Sequence, residues 1–422
     1  MLNRADKKSE SDPFGARREK LIAKSKVREI FTPSRPIKVM DLLQGRESNV
    51  RRLIEILNTP GQHALLFGDR GVGKSSIANI VRIVCEVHKH FDKKSIFFKT
   101  CSSEDTFETI LKDPLQAVNV DISIVEGSSA HKEKSAAKIS ALVANANVES
   151  TRENSEKRKH LYTVSSVAEL IGKVKGLLII DEADSIADNQ VKKKIAELMK
   201  QLSDTDSPFK VMVVGIADTG QKLVDGHKSV QRCLGEVKLE RLVTSELRKI
   251  IELGQNRILG HRITFDGNVI NSIVNISNGY PYFTHLLALK CCEDAIAADK
   301  INIRSEDLAR ATIAAAESAE GALQGTYQFA IRSASVHGDL YRVILLAAAR
   351  MTKHEFSAKD LRNEICKIYG KDVSQARLSN FYSTLITDCD ESILRRVGKG
   401  VYCFNDPRFP SFIRIVNGDI DP

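Results

Sequence analysis

Residues Leu65–Ser76 read LLFGDRGVGKSS: a short apolar run, three glycines, a lysine and two serines. Gly68 and Gly73 flank four residues, and Lys74 and Ser75 follow at once. That spacing belongs to a loop that wraps a phosphate between a strand and a helix. Both flanks fit. Ala64–Phe67 suits a short buried strand, and the run from Ser76 through Val81 continues into Ile83, Val84 and Val87 at helical spacing. Glycines let backbone N–H groups turn toward anionic oxygens, and a helix start adds partial positive charge. The cradle then comprises Gly68, Asp69, Arg70, Gly71, Val72, Gly73, Lys74, Ser75 and Ser76. Lys74 is placed to reach β- and γ-phosphates, and the Ser75 hydroxyl to sit on Mg²⁺.

A second stretch, Gly176-Leu-Leu-Ile-Ile-Asp181-Glu182, joins a continuous apolar run to two carboxylates. Such a run suits a central parallel strand covered on both faces. Its end puts the carboxylates at the sheet edge where α/β proteins bind ligands. With the phosphate loop upstream, this pairing implies ATP and Mg²⁺, Asp181 holding the metal through water and Glu182 serving as general base. Phe209–Ile216 reads as another buried strand, and a polar side chain just past it, in Ala217-Asp218-Thr219, is within reach of the γ-phosphate or the lytic water. Strands alternating with helices predict an α/β fold with a parallel sheet.

A chain of 422 residues predicts two or three domains. No apolar stretch approaches the roughly 20 residues of a membrane span, and residues 1–30 lack a signal-peptide core, so the expected location is cytoplasmic with no membrane partner. The eight cysteines form no CxxC pair, which predicts buried, reduced thiols and no structural zinc. The net charge of +9 sits at the two ends: residues 1–40 carry 11 Lys/Arg against 5 Asp/Glu, and residues 331–422 carry 14 against 11. Residues 1–30 read as a basic arm with little fixed structure, either solvated or contacting DNA.

Order is expected from Phe31 onward, through Pro33 and Pro36, with Gly45-Arg46-Glu47 opening a helix over 48–57. The nucleotide-binding domain spans 31–240. Within it, Val118, Val120, Ile122 and Ile124 alternate with polar residues, marking 117–160 as an inserted hairpin that either touches DNA or a neighbouring subunit or is a solvated excursion. Residues 241–330 read as an all-α lid, with helices over 244–253, 265–276, 282–298 and 305–318. Residues 331–422 give three helices and then a hairpin, Ile393–Val397 and Val401–Phe404 around Gly398-Lys399-Gly400. That is the order of a winged helix. Its third helix is expected to expose Gln375, Arg377, Asn380 and Tyr382, and its wing carries Arg395, Arg396 and Lys399. Two uses stay open: duplex DNA, with the helix in the major groove and the wing on phosphates, or docking to protein.

Taken together, these motifs resemble the AAA+ ATPases of the origin-recognition initiator type, in particular the prokaryotic origin-recognition-like branch. The resemblance covers residues 30–415. It rests on Phe31-x-Pro33-x-x-Pro36-Ile37, Gly45-Arg46, GDRGVGKSS, LLIIDEAD, VVGIADT, Ser229-x-x-Arg232, Gly279-Tyr280-Pro281 and the winged-helix order. It implies a P-loop AAA+ sheet domain with an all-α lid and a C-terminal winged helix. It further implies that Gly45 and Arg46 lie near adenine and that Asp218 holds the first sensor position. Arg232 would reach a neighbouring subunit's γ-phosphate and make an oligomer through the ATP interface; as a plain surface residue it would form an ion pair instead. Two departures stand out. The first sensor is usually asparagine, and Gly279-Tyr280-Pro281-Tyr282 has tyrosine where initiators place the second sensor arginine. The stretch GYPYFTHLL looks closer to the lids of STAND-type signalling NTPases. Slow hydrolysis by a DNA-binding switch is the leading expectation; the alternative is a STAND-like signalling ATPase whose winged helix docks protein. Nothing in the chain resembles a nuclease or protease, so a destructive effector would have to be a separate polypeptide.

Overall fold

The computed structural model describes residues 18–118, 163–216, 228–258, 263–332, 338–351, 353, 355–375, 378–379, 382, 385–386 and 392–420. They form two compact units. One comprises Ile37–Asp69 and Lys74–Glu240; the other comprises Met1–Pro36, Arg70–Gly73 and Arg241–Pro422.

The first unit is built on five parallel strands: β1 (His63–Gly68), β2 (Ile96–Thr100), β3 (Leu177–Asp181), β4 (Lys210–Gly215) and β5 (Leu234–Leu239). Their order is β2-β3-β4-β1-β5, so β4 lies between β1 and β3. Every residue of β3 and β4 is buried, as strands covered on both faces require. Alternate side chains serve opposite faces. Leu178, Ile180, Val211 and Val213 join one core with Ile195, Met199 and Leu202 of the helix Asn189–Asp204 and Val167 and Ile171 of Val164–Ile171. The other face is covered by the helices Glu47–Asn58 and Lys74–Val87, which bury Leu53, Ile56, Ile77 and Val81. The result is three layers, helix on sheet on helix.

A buried imidazole anchors the entry to β1. His63 Nδ1 accepts the Val211 N–H at 3.0 Å, which fixes the ring as neutral. Burial, and then the nearby Lys210 charge, push its pKa down to about 3. The folded chain thus resists a proton that the unfolded chain takes up near pH 6.5. The stabilisation is complete above pH 6.5 and is lost as pH falls toward 3, on the order of 4 kcal/mol in all. Denaturant melts across that window should show the loss, and His63→Gln, which keeps an acceptor but does not titrate, should flatten it. An unchanged slope in that variant contradicts the assignment.

The second unit is largely helical. It contains the helices Arg18–Ile30, Thr244–Ile258, Gly267–Ser277, Pro281–Ala297, Ser305–Ser318 and Gly321–Arg332, then Gly338–Ala349, Ala358–Tyr369 and Phe409–Val416. A short parallel pairing, Thr264–Phe265 with Asn302–Ile303, ties the lid helices. The strands Leu394–Gly398 and Val401–Phe404 pair antiparallel, and Phe356–Ser357 adds a third. Ser357 caps its helix, its hydroxyl accepting from Asp360 N at 3.1 Å. Arg408, almost fully buried, is held by both carboxylate oxygens of Asp406 and by Glu320 at 2.7 Å.

Two expectations are corrected. Residues 18–30 form a helix rather than an unstructured arm: Val27 is fully buried, Phe31 packs edge-on to His285, and Arg28 pairs with Glu293 at 2.6 Å. Lys26, Arg28 and Glu29 are exposed between and around these positions and mask the Val27–Phe31 spacing. Tyr382, expected on an exposed face, is 5% exposed and packs 5.2 Å from Tyr402. Leu378 and Leu385 are buried at helical spacing with it. Residues 1–17 and 119–160 of the expected arm and insertion lie outside the described residues. Seven described cysteines are unpaired, six of them buried, and no described helix is long and apolar enough to cross a membrane.

Candidate nucleotide site

β1 ends on Gly68, which has no room for a side chain: a Cβ there would sit 2.4 Å from the Leu239 carbonyl oxygen of β5. Past it the backbone turns through positive φ at Gly71 (80°) and Gly73 (99°), where glycine carries no steric penalty. Among the described residues, nothing lies within 4 Å of the position a Cβ on Gly73 would take. The helix Lys74–Val87 starts immediately. Lys74 Nζ donates to the carbonyls of Gly68 (3.0 Å) and Asp69 (2.8 Å), which holds the ammonium inside the loop.

β3 delivers Asp181 to the same edge of the sheet. Its side chain is 4% exposed. Burial raises its pKa, opposed by a hydrogen bond from the Ser75 side chain, another from Glu182 N–H at 3.0 Å, and the Lys74 charge. Ser75 and Asp181 therefore touch although 106 residues separate them in sequence. Two hard oxygen donors, one anionic, fit Mg²⁺, which takes few protein ligands and fills its shell with phosphate oxygens and water. No cluster of three or more His, Cys, Asp or Glu suited to a metal occurs among the described residues.

Glu182 is exposed and sits in the left-handed region, φ 55° and ψ 39°. A non-glycine residue there costs about 1–3 kcal/mol and concentrates at functional sites. The strain lies on the residue assigned as the base.

Gly45 has φ 69°, and Arg46, 6% exposed, donates to the Glu240 carbonyl at 2.7 Å. Arg232 is on the surface and pairs with Asp204, so a phosphate from another subunit would have to compete with that carboxylate. Ser76 is turned away from the loop: its hydroxyl accepts the Ile37 N–H at 3.1 Å. Tyr280 is fully buried, with the Arg241 guanidinium 4.6 Å from its ring centre, and Tyr282 accepts from Glu320 N at 3.2 Å. Gln375, Arg395, Arg396 and Lys399 are exposed. Arg395 Nε contacts Cys403 Sγ at 3.1 Å and Arg396 Nε donates to Gly398 O at 3.1 Å, which holds both on the hairpin. Asp218, Arg377 and Asn380 lie outside the described residues.

Residues 58–223 match the family model described as AAA domain. With the parallel order β2-β3-β4-β1-β5 and the loop after β1, this decides the architecture. The fold is P-loop AAA+. No curated protein matches the chain. Among solved structures, the Walker-type ATPase PABY2304 of Pyrococcus abyssi is 17% identical, with 91% of this chain and 99% of that chain covered at a TM-score of 0.51. The Aeropyrum pernix ORC1 protein in complex with DNA is 15% identical, covering 93% and 97% at 0.45. The Aeropyrum pernix ORC2 protein in ADPNP–ADP complexes is 14% identical, covering 93% and 97% at 0.48. The likeness of fold to PABY2304 thus reaches well beyond residues 58–223.

Proposed function

We propose that this AAA+ chain is an ATP-driven switch that binds Mg·ATP, hydrolyses it slowly, assembles through the nucleotide interface and binds duplex DNA through a winged helix. The observation that carries the reading is the convergence of Lys74, Ser75 and Asp181 at the carboxyl edge of the sheet. Lys74 holds β- and γ-phosphate charge, and the loop N–H groups position the phosphates. Ser75 and Asp181 hold the metal, which when bound neutralises charge on the phosphate oxygens. Glu182 accepts a proton from the attacking water. Arg232 of one copy, released from Asp204, completes the site of the next. Tyr280 and Tyr282, with Asp218 in place of asparagine, leave the transition state less stabilised, which keeps turnover slow.

Support for DNA comes from Arg395, Arg396 and Lys399, exposed on one hairpin, and Gln375, exposed on the preceding segment. Measuring fluorescence anisotropy of labelled duplex DNA with ATP, ADP and no nucleotide, across salt concentrations, tests it. Binding should require ATP and weaken steeply with salt, and the double variant Arg395→Ala/Arg396→Ala should reduce the salt slope by about two. Nucleotide binding with no affinity for DNA would favour the STAND-like alternative.

A further inference from the structure

β2 and β3 begin at the edge of the sheet opposite the nucleotide cradle. Their register pairs Ile96 with Leu177, and a Cβ on Gly176 would meet the Ser95 carbonyl oxygen at 3.1 Å. The two strand entries therefore touch, and Lys94 and Lys175, both exposed, flank the contact. Each is tied down at this end. Asp92 Oδ1 accepts the Lys94 N–H at 2.9 Å, and Lys175 Nζ lies 5.9 Å from the ring centre of buried Phe91. Lys89, Lys93 and Lys173 are exposed on the same two loops, 88–95 and 172–176.

Part of this charge has an ordinary origin. Lys89 and Lys173 each lie two residues past a helix, Lys74–Val87 and Val164–Ile171, where the partial negative charge of the helix end favours a cation. Lys93 pairs with Glu86 at 2.8 Å, and Lys173 with Glu169 at 3.6 Å. Lys94 and Lys175 have neither reason to be basic. They belong to the strand entries, and no carboxylate pairs with either ammonium among the described residues. Like charges on touching segments repel, which costs stability until an anion bridges them. The composition points to the kind of anion. Protein interfaces are depleted in lysine and centre on aromatic anchors, whereas Phe91, the one phenylalanine, tyrosine or tryptophan in the two loops, is buried. Flexible ammonium groups suit a phosphate backbone. We propose that Lys94 and Lys175 form a phosphate-backbone contact surface for duplex DNA, carried by the sheet unit and distinct from the hairpin arginines. The inference rests on the duplex-DNA reading above and adds a contact that carries no sequence preference. Five residues of β2 and of β3, about 16 Å of strand, separate it from Asp181, so it can be altered without touching the nucleotide site.

Fluorescence anisotropy of the full chain on labelled duplexes of unrelated sequence, in Mg·ATP across a salt series, tests it. Lys94→Gln/Lys175→Gln should weaken every duplex about tenfold at low salt and lower the salt slope by about two, since each phosphate contact contributes about 0.9. Mg·ATP affinity should stay within about twofold, which also shows that the variant is folded. Combined with Arg395→Ala/Arg396→Ala, the slope should fall by about four, as independent surfaces require. A slope equal to wild type overturns the proposal and leaves the lysines to an acidic protein partner; a loss confined to one duplex sequence overturns it as well. If the lysine variant lowers the slope and the hairpin variant does not, the winged-helix reading fails and this surface stands. Wild-type chain that binds no duplex even at low salt overturns both.

Discussion

Glu182→Gln should lower ATP turnover by about 10²–10⁴-fold, the usual range for loss of a general base, while Mg·ATP affinity stays within about twofold. The amide has nearly the shape of the carboxylate but cannot take the proton from water. Backbone geometry argues that the two effects separate. The residue's left-handed conformation follows from the strand end and the turn into Ala183–Ser185, and its N–H bond to Asp181 Oδ1 belongs to the main chain. Neither depends on the side-chain charge. A single-turnover measurement beside an equilibrium titration checks both halves. Turnover equal to wild type would remove Glu182 from the mechanism and leave its strained backbone without a function.

Lys74→Ala should weaken Mg·ATP by about 10–100-fold, since a hydrogen bond to a charged group is worth about 1.5–3 kcal/mol. Folding should be little affected. The two carbonyls that Lys74 satisfies, Gly68 and Asp69, lie at the loop, whereas the strand beneath is held by β4 and β5. Calorimetry with a thermal melt on the same sample measures both. Affinity within about twofold of wild type would place the phosphate elsewhere.

The elements nearest the chemistry were the most legible in sequence, for a physical reason. β1, β3 and β4 are covered on both faces, so their sequences are continuous apolar runs bounded by glycine or acid. The phosphate loop needs glycine where φ is positive, at Gly71 and Gly73. β5 was harder to see. Its Leu234-Gly-Glu-Val-Lys-Leu239 sequence has charges at Glu236 and Lys238, as suits a strand that among the described residues pairs with β1 alone. The helix Asn189–Asp204 was also missed, since three consecutive lysines, 192–194, interrupt its apolar pattern.

Roles set by distant contacts were not legible. Ser76 reads as the last residue of a phosphate cradle because GKSS invites it; its bond to Ile37 joins residues 39 apart. The resemblance implies that Arg46 lies near adenine, but the bond from its guanidinium to a carbonyl 194 residues away has no sign in the local sequence. Tyr382 falls among polar residues, and its burial depends on Tyr402 across the small sheet. In each case the partner lies outside any window the sequence could display.

Titration of the full chain with ATP in the presence and absence of magnesium bears most directly on the account. A triphosphate cradled ahead of Lys74, with its metal between Ser75 and Asp181, predicts one saturable site whose affinity falls when magnesium is withheld. No binding heat at millimolar Mg·ATP would contradict it and leave an AAA+ scaffold without its ligand.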